Sequence, residues 1–143
     1  MGLFRTFESG EHKKIKSHFE NLVAVALSDG VIDEKEKEYL LSLAQNYSIT
    51  EEEIMHIIEN PDHYVFTAPV DKAERQKQLK EIIRLLLADG KVTQSEINIC
   101  KKMAVALNYN PSIVVRITNL LQKYMDRPFD LYGILSEIDD IIE

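Results

Sequence analysis

A ten-residue pattern occurs twice in this chain, sixty positions apart: Leu27-Ser28-Asp29-Gly30-Val31-Ile32-Asp33-Glu34-Lys35-Glu36 and Leu87-Ala88-Asp89-Gly90-Lys91-Val92-Thr93-Gln94-Ser95-Glu96. Each copy closes an apolar run with Asp-Gly, passes through a branched aliphatic residue, and then sets Glu three positions after an acidic or hydroxyl residue. Glycine tolerates the left-handed position that ends a helix, and a short polar side chain followed by Glu three residues later starts one. The repeated message is helix, turn, helix, and a chain that carries it twice builds its fold from two related pieces.

The flanking segments extend the correspondence. Residues 1–8 read as a loose lead-in, and Ser9 caps a first helix from about Gly10 to Ser28 with Ile15, Phe19, Leu22, Val23, Ala26 and Leu27 at helical spacing. Asp33 with Glu36 starts a second helix that stops near Tyr47, and Thr50 with Glu53 starts a short third one that ends at Asn60-Pro61. Residues 61–70 form a connector. Asp71 with Glu74 then caps a fourth helix bearing Leu79, Ile82, Ile83, Leu86 and Leu87, and Thr93 with Glu96 caps a fifth. Asn110 caps a sixth with Pro111 at its first position, where proline is favoured. A seventh runs from about Phe129 to Ile142 on Leu131, Ile134, Leu135, Ile138 and Ile141. No segment alternates with a period of two. The expectation is an all-α compact bundle of about seven helices. It comprises two pseudo-symmetric three-helix repeats (about 10–60 and 71–125) plus a C-terminal helix, in one domain over 1–143.

Composition narrows the function. The chain is 45% hydrophobic and 29% charged, the balance of a folded domain. No apolar stretch approaches the roughly 20 residues a membrane span needs, and no apolar signal region opens the chain, so a cytoplasmic protein is expected. Met1-Gly2-Leu3-Phe4-Arg5-Thr6 fits only the loose N-myristoylation pattern. A net charge of −7 argues against nucleic acid as a partner. The single cysteine, Cys100, excludes an internal disulfide framework and, among Ile97, Ile99 and Met103, reads as a buried inert thiol.

Two readings of the repeated turn stand side by side. In the first, every residue has a structural duty: Asp-Gly turns the chain, Gly30 and Gly90 cap, Glu36 and Glu96 close capping boxes, and Ile32 and Val92 occupy the staple position. The second starts from Asp29 and Asp89, which lie at helix C-termini, where the helix dipole disfavours an anion by about 0.3–1 kcal/mol. A bound cation would compensate, with hard oxygen ligands that suit Ca²⁺, Mg²⁺ or Mn²⁺ better than Zn²⁺. So would backbone N–H groups within the turn. An ordinary EF-hand is excluded, because its first and third ligand positions would fall on Val25 and Leu27, or on Leu85 and Leu87.

With Leu43-Ala44 and Met103-Ala104 following the two copies, the chain resembles the TerB-like family, all-helical proteins associated with tellurite resistance and also fused to DnaJ-type co-chaperones. The resemblance covers roughly residues 15–125, with Ser28 where the family usually has alanine. It implies a pseudo-symmetric helical domain with an acidic divalent-cation site built by both repeats, from Asp29, Glu36, Asp89 and Glu96. It further implies a non-enzymatic, stress-related sensing or scaffolding role. The alternative is a metal-independent protein–protein interaction module, with Tyr64, Val65, Phe66, Phe129, Leu131 and Tyr132 lining a groove for a partner protein. Glu52, His56 and Glu59, with His63 beyond, read as a solvated helix face rather than a zinc site, which needs about three or four convergent ligands. No phosphate loop, nucleophile elbow or His-Glu-x-x-His appears, so no enzyme is expected.

Overall fold

The computed structural model describes residues 2–27, 33–60 and 65–142, with side chains from Lys13 onward. Asp29, Gly30, Ile32, Pro61, His63 and Tyr64 lie outside the described residues. Every regular element among the described residues is an α-helix: α1 (Gly2–Ala26), α2 (Glu34–Asn46), α3 (Glu51–Glu59), α4 (Lys72–Leu87), α5 (Gln94–Ala106), α6 (Pro111–Lys123) and α7 (Leu131–Ile142). Contacts divide the chain into two units, Met1–Phe66 with α1–α3 and Thr67–Glu143 with α4–α7.

Four helix starts use the side chains the sequence marks for them. Asp33 Oδ1 accepts from the Glu36 N–H at 2.7 Å, Thr50 Oγ1 from Glu53 at 3.1 Å, Thr93 Oγ1 from Glu96 at 3.4 Å and Asn110 Oδ1 from Ile113 at 2.9 Å. Two other expectations fail. Asp71 is the N-cap of α4 but makes no side-chain capping bond. Ser9 is not a helix start, because α1 begins at Gly2 and runs through it. Residues 3–8 contain no proline, and one internal glycine at position 10 costs only about 1 kcal/mol, too little to stop a helix whose later turns are buried.

The ends of α2 and α5 follow one pattern that no glycine announces. Ser48 and Asn108, each just past the C-cap, have φ of 60° and 67°. Their N–H groups donate to Gln45 O at 3.2 Å and Val105 O at 3.0 Å. The next N–H groups, of Ile49 and Tyr109, reach back to Ala44 O at 2.9 Å and Ala104 O at 3.2 Å. Both are Schellman caps, satisfying carbonyls the helices would otherwise leave orphaned.

In the first unit α3 packs on α1 and α2. The core is Phe19, Leu22, Val23 and Ala26 of α1, Leu40 and Leu43 of α2, Ile54 and Ile57 of α3, and Ile49 from the Schellman turn, all buried. Lys16 and Glu53 pair at 3.4 Å between α1 and α3. In the second unit α4 packs on α5 and α7, and α6 packs on both α5 and α7. The C-terminal half of α4 is buried nearly all round, at Ile82, Ile83, Leu85, Leu86 and Leu87, which brings the following Asp-Gly turn directly off the core. α7 starts two residues later than expected and buries Ile142 rather than Ile141 beside Ile134, Leu135 and Ile138. Three polar contacts fasten it: Gln76 Nε2 to Ile142 O at 3.2 Å, Lys80 to Asp139 at 3.1 Å, and Tyr124 Oη to Glu137 at 3.0 Å. No described helix is long and apolar enough to cross a membrane.

Two glycines separate backbone need from habit. Gly90 has φ of 81°, and a Cβ there would meet nothing within 4 Å, so the cost of a side chain lies in the backbone alone. Gly133 lies in the first turn of α7, where a Cβ would touch only the Asp130 side chain, at 3.5 Å and beyond. Gly90→Ala should destabilise by about 1–2 kcal/mol, and Gly133→Ala should be neutral or stabilise by up to about 1 kcal/mol. Urea denaturation midpoints at constant m check both.

Candidate functional site

The second copy of the repeated motif is described in full. α4 ends at Leu87, Ala88 keeps right-handed helical dihedrals, and Gly90 turns the chain while its N–H donates to Leu87 O at 3.1 Å. Asp89 is exposed, and its Oδ1 accepts from the Lys91 N–H at 3.2 Å. A backbone partner therefore answers part of the unfavourable placement of this carboxylate at a helix C-terminus. Val92 is buried, and Thr93 opens α5.

Glu96 differs from the other acidic side chains of its unit. It is 1% exposed. It closes the capping box in both directions: its N–H donates to Thr93 Oγ1, and its carboxyl is bonded in turn by the Thr93 backbone and side chain. That arrangement leaves Oε2 buried with no hydrogen-bond partner. Burial, and after it the charge of Asp89, push the Glu96 carboxyl from 4.5 up to about 8, against the opposing pull of the two Thr93 bonds. At neutral pH this carboxyl is protonated. A buried polar atom without a partner is uncommon and costs about 1–3 kcal/mol.

Of the first copy, Leu27 and Asp33–Glu36 are described. Glu36 occupies the place in α2 that Glu96 occupies in α5 and is likewise buried, at 4% exposure. Asp29 lies outside the described residues, and so does its separation from Asp89. Among the described residues no group of three or more His, Cys, Asp or Glu side chains converges to hold a metal ion.

A cleft of about 390 Å³ opens beside the second turn, between Gly90–Thr93 and the α6–α7 link at Asp126, Arg127 and Pro128. Asp126 has φ of 58° and is the third non-glycine residue in the left-handed region among the described residues. The only signal for it was the Asp-Arg-Pro turn composition.

Elsewhere the expectations divide. Glu52, His56 and Glu59 do share one exposed stripe of α3, along a cleft of about 480 Å³, and the His56 side chain contacts the Asn60 amide at 3.3 Å. Cys100 is buried, and burial pushes its thiol up to about 12, far from a nucleophile's range. Of the proposed groove residues, Val65 and Tyr132 are strongly exposed, while Phe129 sits edge-on to Tyr124 at 6.4 Å.

The buried acid should leave a signature in stability. Below pH 4.5 Glu96 is protonated in both the folded and the unfolded chain. Between 4.5 and about 8 only the unfolded chain releases the proton, so stability falls as pH rises, by at most about 1.4 kcal/mol per unit. Above about 8 both states are ionised and the slope disappears. Glu96→Gln should flatten this part of the pH–stability profile, measured by urea denaturation from pH 5 to 8.5, and should be more stable than wild type at pH 8. No protein-family model, curated protein or solved structure matches the chain.

Proposed function

We propose that this chain is a TerB-like, non-enzymatic domain that takes a divalent cation at its Asp-Gly turns, in a stress-related sensing or scaffolding role in the cytoplasm. On this reading residues 1–143 form one domain whose two three-helix repeats are related by pseudo-symmetry. Asp29 and Asp89 supply the ligands, with Glu36 and Glu96 beside them. The observation that carries the reading is the unpartnered, buried Oε2 of Glu96 next to Asp89. A capping box needs one carboxylate oxygen; a second one, sunk in the core and raised in pKa by burial first and by the neighbouring Asp89 after it, suits a site completed by positive charge. The burial of Glu36 at the matching position adds support from the other repeat.

A cation there would supply charge, neutralising carboxylates that otherwise repel one another. The donors are carboxylate and backbone oxygens, which favour Ca²⁺, Mg²⁺ or Mn²⁺ over Zn²⁺. The chain's own contribution is to hold Glu96 by its Thr93 bonds while Gly90 turns the backbone.

Calorimetric titration with Ca²⁺, Mg²⁺, Mn²⁺ and Zn²⁺ tests this on wild type, on the Asp29→Asn/Asp89→Asn double variant and on Glu96→Gln. Binding of a hard cation is expected in wild type, weakened about ten- to a hundredfold in both variants. Because Glu96 gives up its proton, about one proton should be released at pH 7, and affinity should rise from pH 6 to 8. Undiminished binding in both variants would remove these residues from the site. Absence of binding by all four ions would favour the metal-independent interaction module.

A further inference from the structure

The segment that leads into α4 combines exposure with a single restraint. Thr67, Ala68 and Pro69 belong to no helix, and Thr67 and Ala68 make no hydrogen bond among the described residues. Pro69 fixes its own φ near −65° and drives Ala68 toward extended backbone. Val70 follows at 96% exposure, above every other large apolar side chain among the described residues. A small branched side chain offered to solvent after an extended, unpaired stretch suits a protease with a small apolar specificity pocket. One group opposes cleavage. Asp71 makes no side-chain capping bond at the start of α4, and Arg75, in the first turns of that helix, reaches back instead. Its Nη1 donates to Val70 O at 2.7 Å and to Pro69 O at 3.2 Å.

We infer that the Val70–Asp71 peptide bond is a latent cleavage site for a serine protease that prefers small aliphatic residues, and that Arg75 keeps it closed. The carbonyl of Val70 is the group such a protease must engage. Its carbon receives the attacking serine hydroxyl, and its oxygen must enter an oxyanion hole built from N–H donors. In this chain a guanidinium already holds that oxygen, through a charge-assisted hydrogen bond. The second bond, to Pro69 O, fixes the backbone on the near side of the same peptide. The far side is less secure: the first turn of α4 has no side-chain cap, and uncapped helix ends fray readily. Once Arg75 lets go, the chemistry is ordinary hydrolysis. The Val70–Asp71 C–N bond breaks, one water is consumed, and a carboxylate at Val70 and an amino group at Asp71 remain.

Digestion of the full chain with pancreatic elastase tests this, read by the rate at which the fragment 71–143 appears in mass spectra. Wild type should release it slowly. Arg75→Ala should release it about tenfold faster or more, since a hydrogen bond to a charged group contributes at least that factor. Adding Val70→Asp to Arg75→Ala should remove the fragment, which assigns the bond. Gly90→Ala lowers stability while leaving Arg75 in place, so it separates local release from global unfolding; its rate should stay near that of wild type. Equal rates in wild type and Arg75→Ala would overturn the inference. So would an acceleration by Gly90→Ala as large as that by Arg75→Ala, because the bond would then open only when the whole unit unfolds.

Discussion

The second unit is organised around a glutamate used from inside the core. Glu96 must lie close to Thr93 to cap α5, and Thr93 follows a turn that leaves the most buried stretch of α4. The cap therefore forms where water is excluded. One carboxyl oxygen meets the needs of the helix end, and the other has no partner. An exposed capping box would leave that oxygen to solvent at no cost; here the same local motif creates a protonated acid beside Asp89. Capping, burial and charge are thus a single feature seen at three scales.

Burial makes the ionised form of Glu96 unfavourable and also shields it, so a cation that reached it would act at a lower effective dielectric than at the surface. Asp89, exposed and held through Oδ1 by the Lys91 N–H, stands at the solvent side of the same turn. Gly90 supplies the left-handed backbone that allows the chain to pass between the two acids.

Much of this architecture was legible in the residues. Side-chain caps at Asp33, Thr50, Thr93 and Asn110 were each readable because a short polar residue before an apolar period has one dominant use, and all four make the expected bond. The Schellman caps at Ser48 and Asn108 were not read from the sequence: serine gives no signal for a left-handed residue, and asparagine, which tolerates one, serves equally well in other turns. The start of α1 was misplaced because a serine inside a helix looks the same in sequence as one before it. At the site, the role of Glu96 as a cap was legible, but the burial of Glu36 and Glu96 was not: a glutamate three residues into a helix is ordinarily solvated. Only packing showed that Glu96 lies in the core, and only burial turns a cap into an acid with a displaced pKa.

The account stands most directly on the ionisation of that one side chain. Carbon-detected NMR of the Glu96 carboxyl, followed from pH 4 to 9.5, should show a midpoint near 8, standing apart from the exposed glutamates. Adding the hard cation that binds should move the midpoint down by more than a unit. A midpoint near 4.5, unmoved by any of the four ions, would contradict both the buried neutral acid and the cation site built upon it.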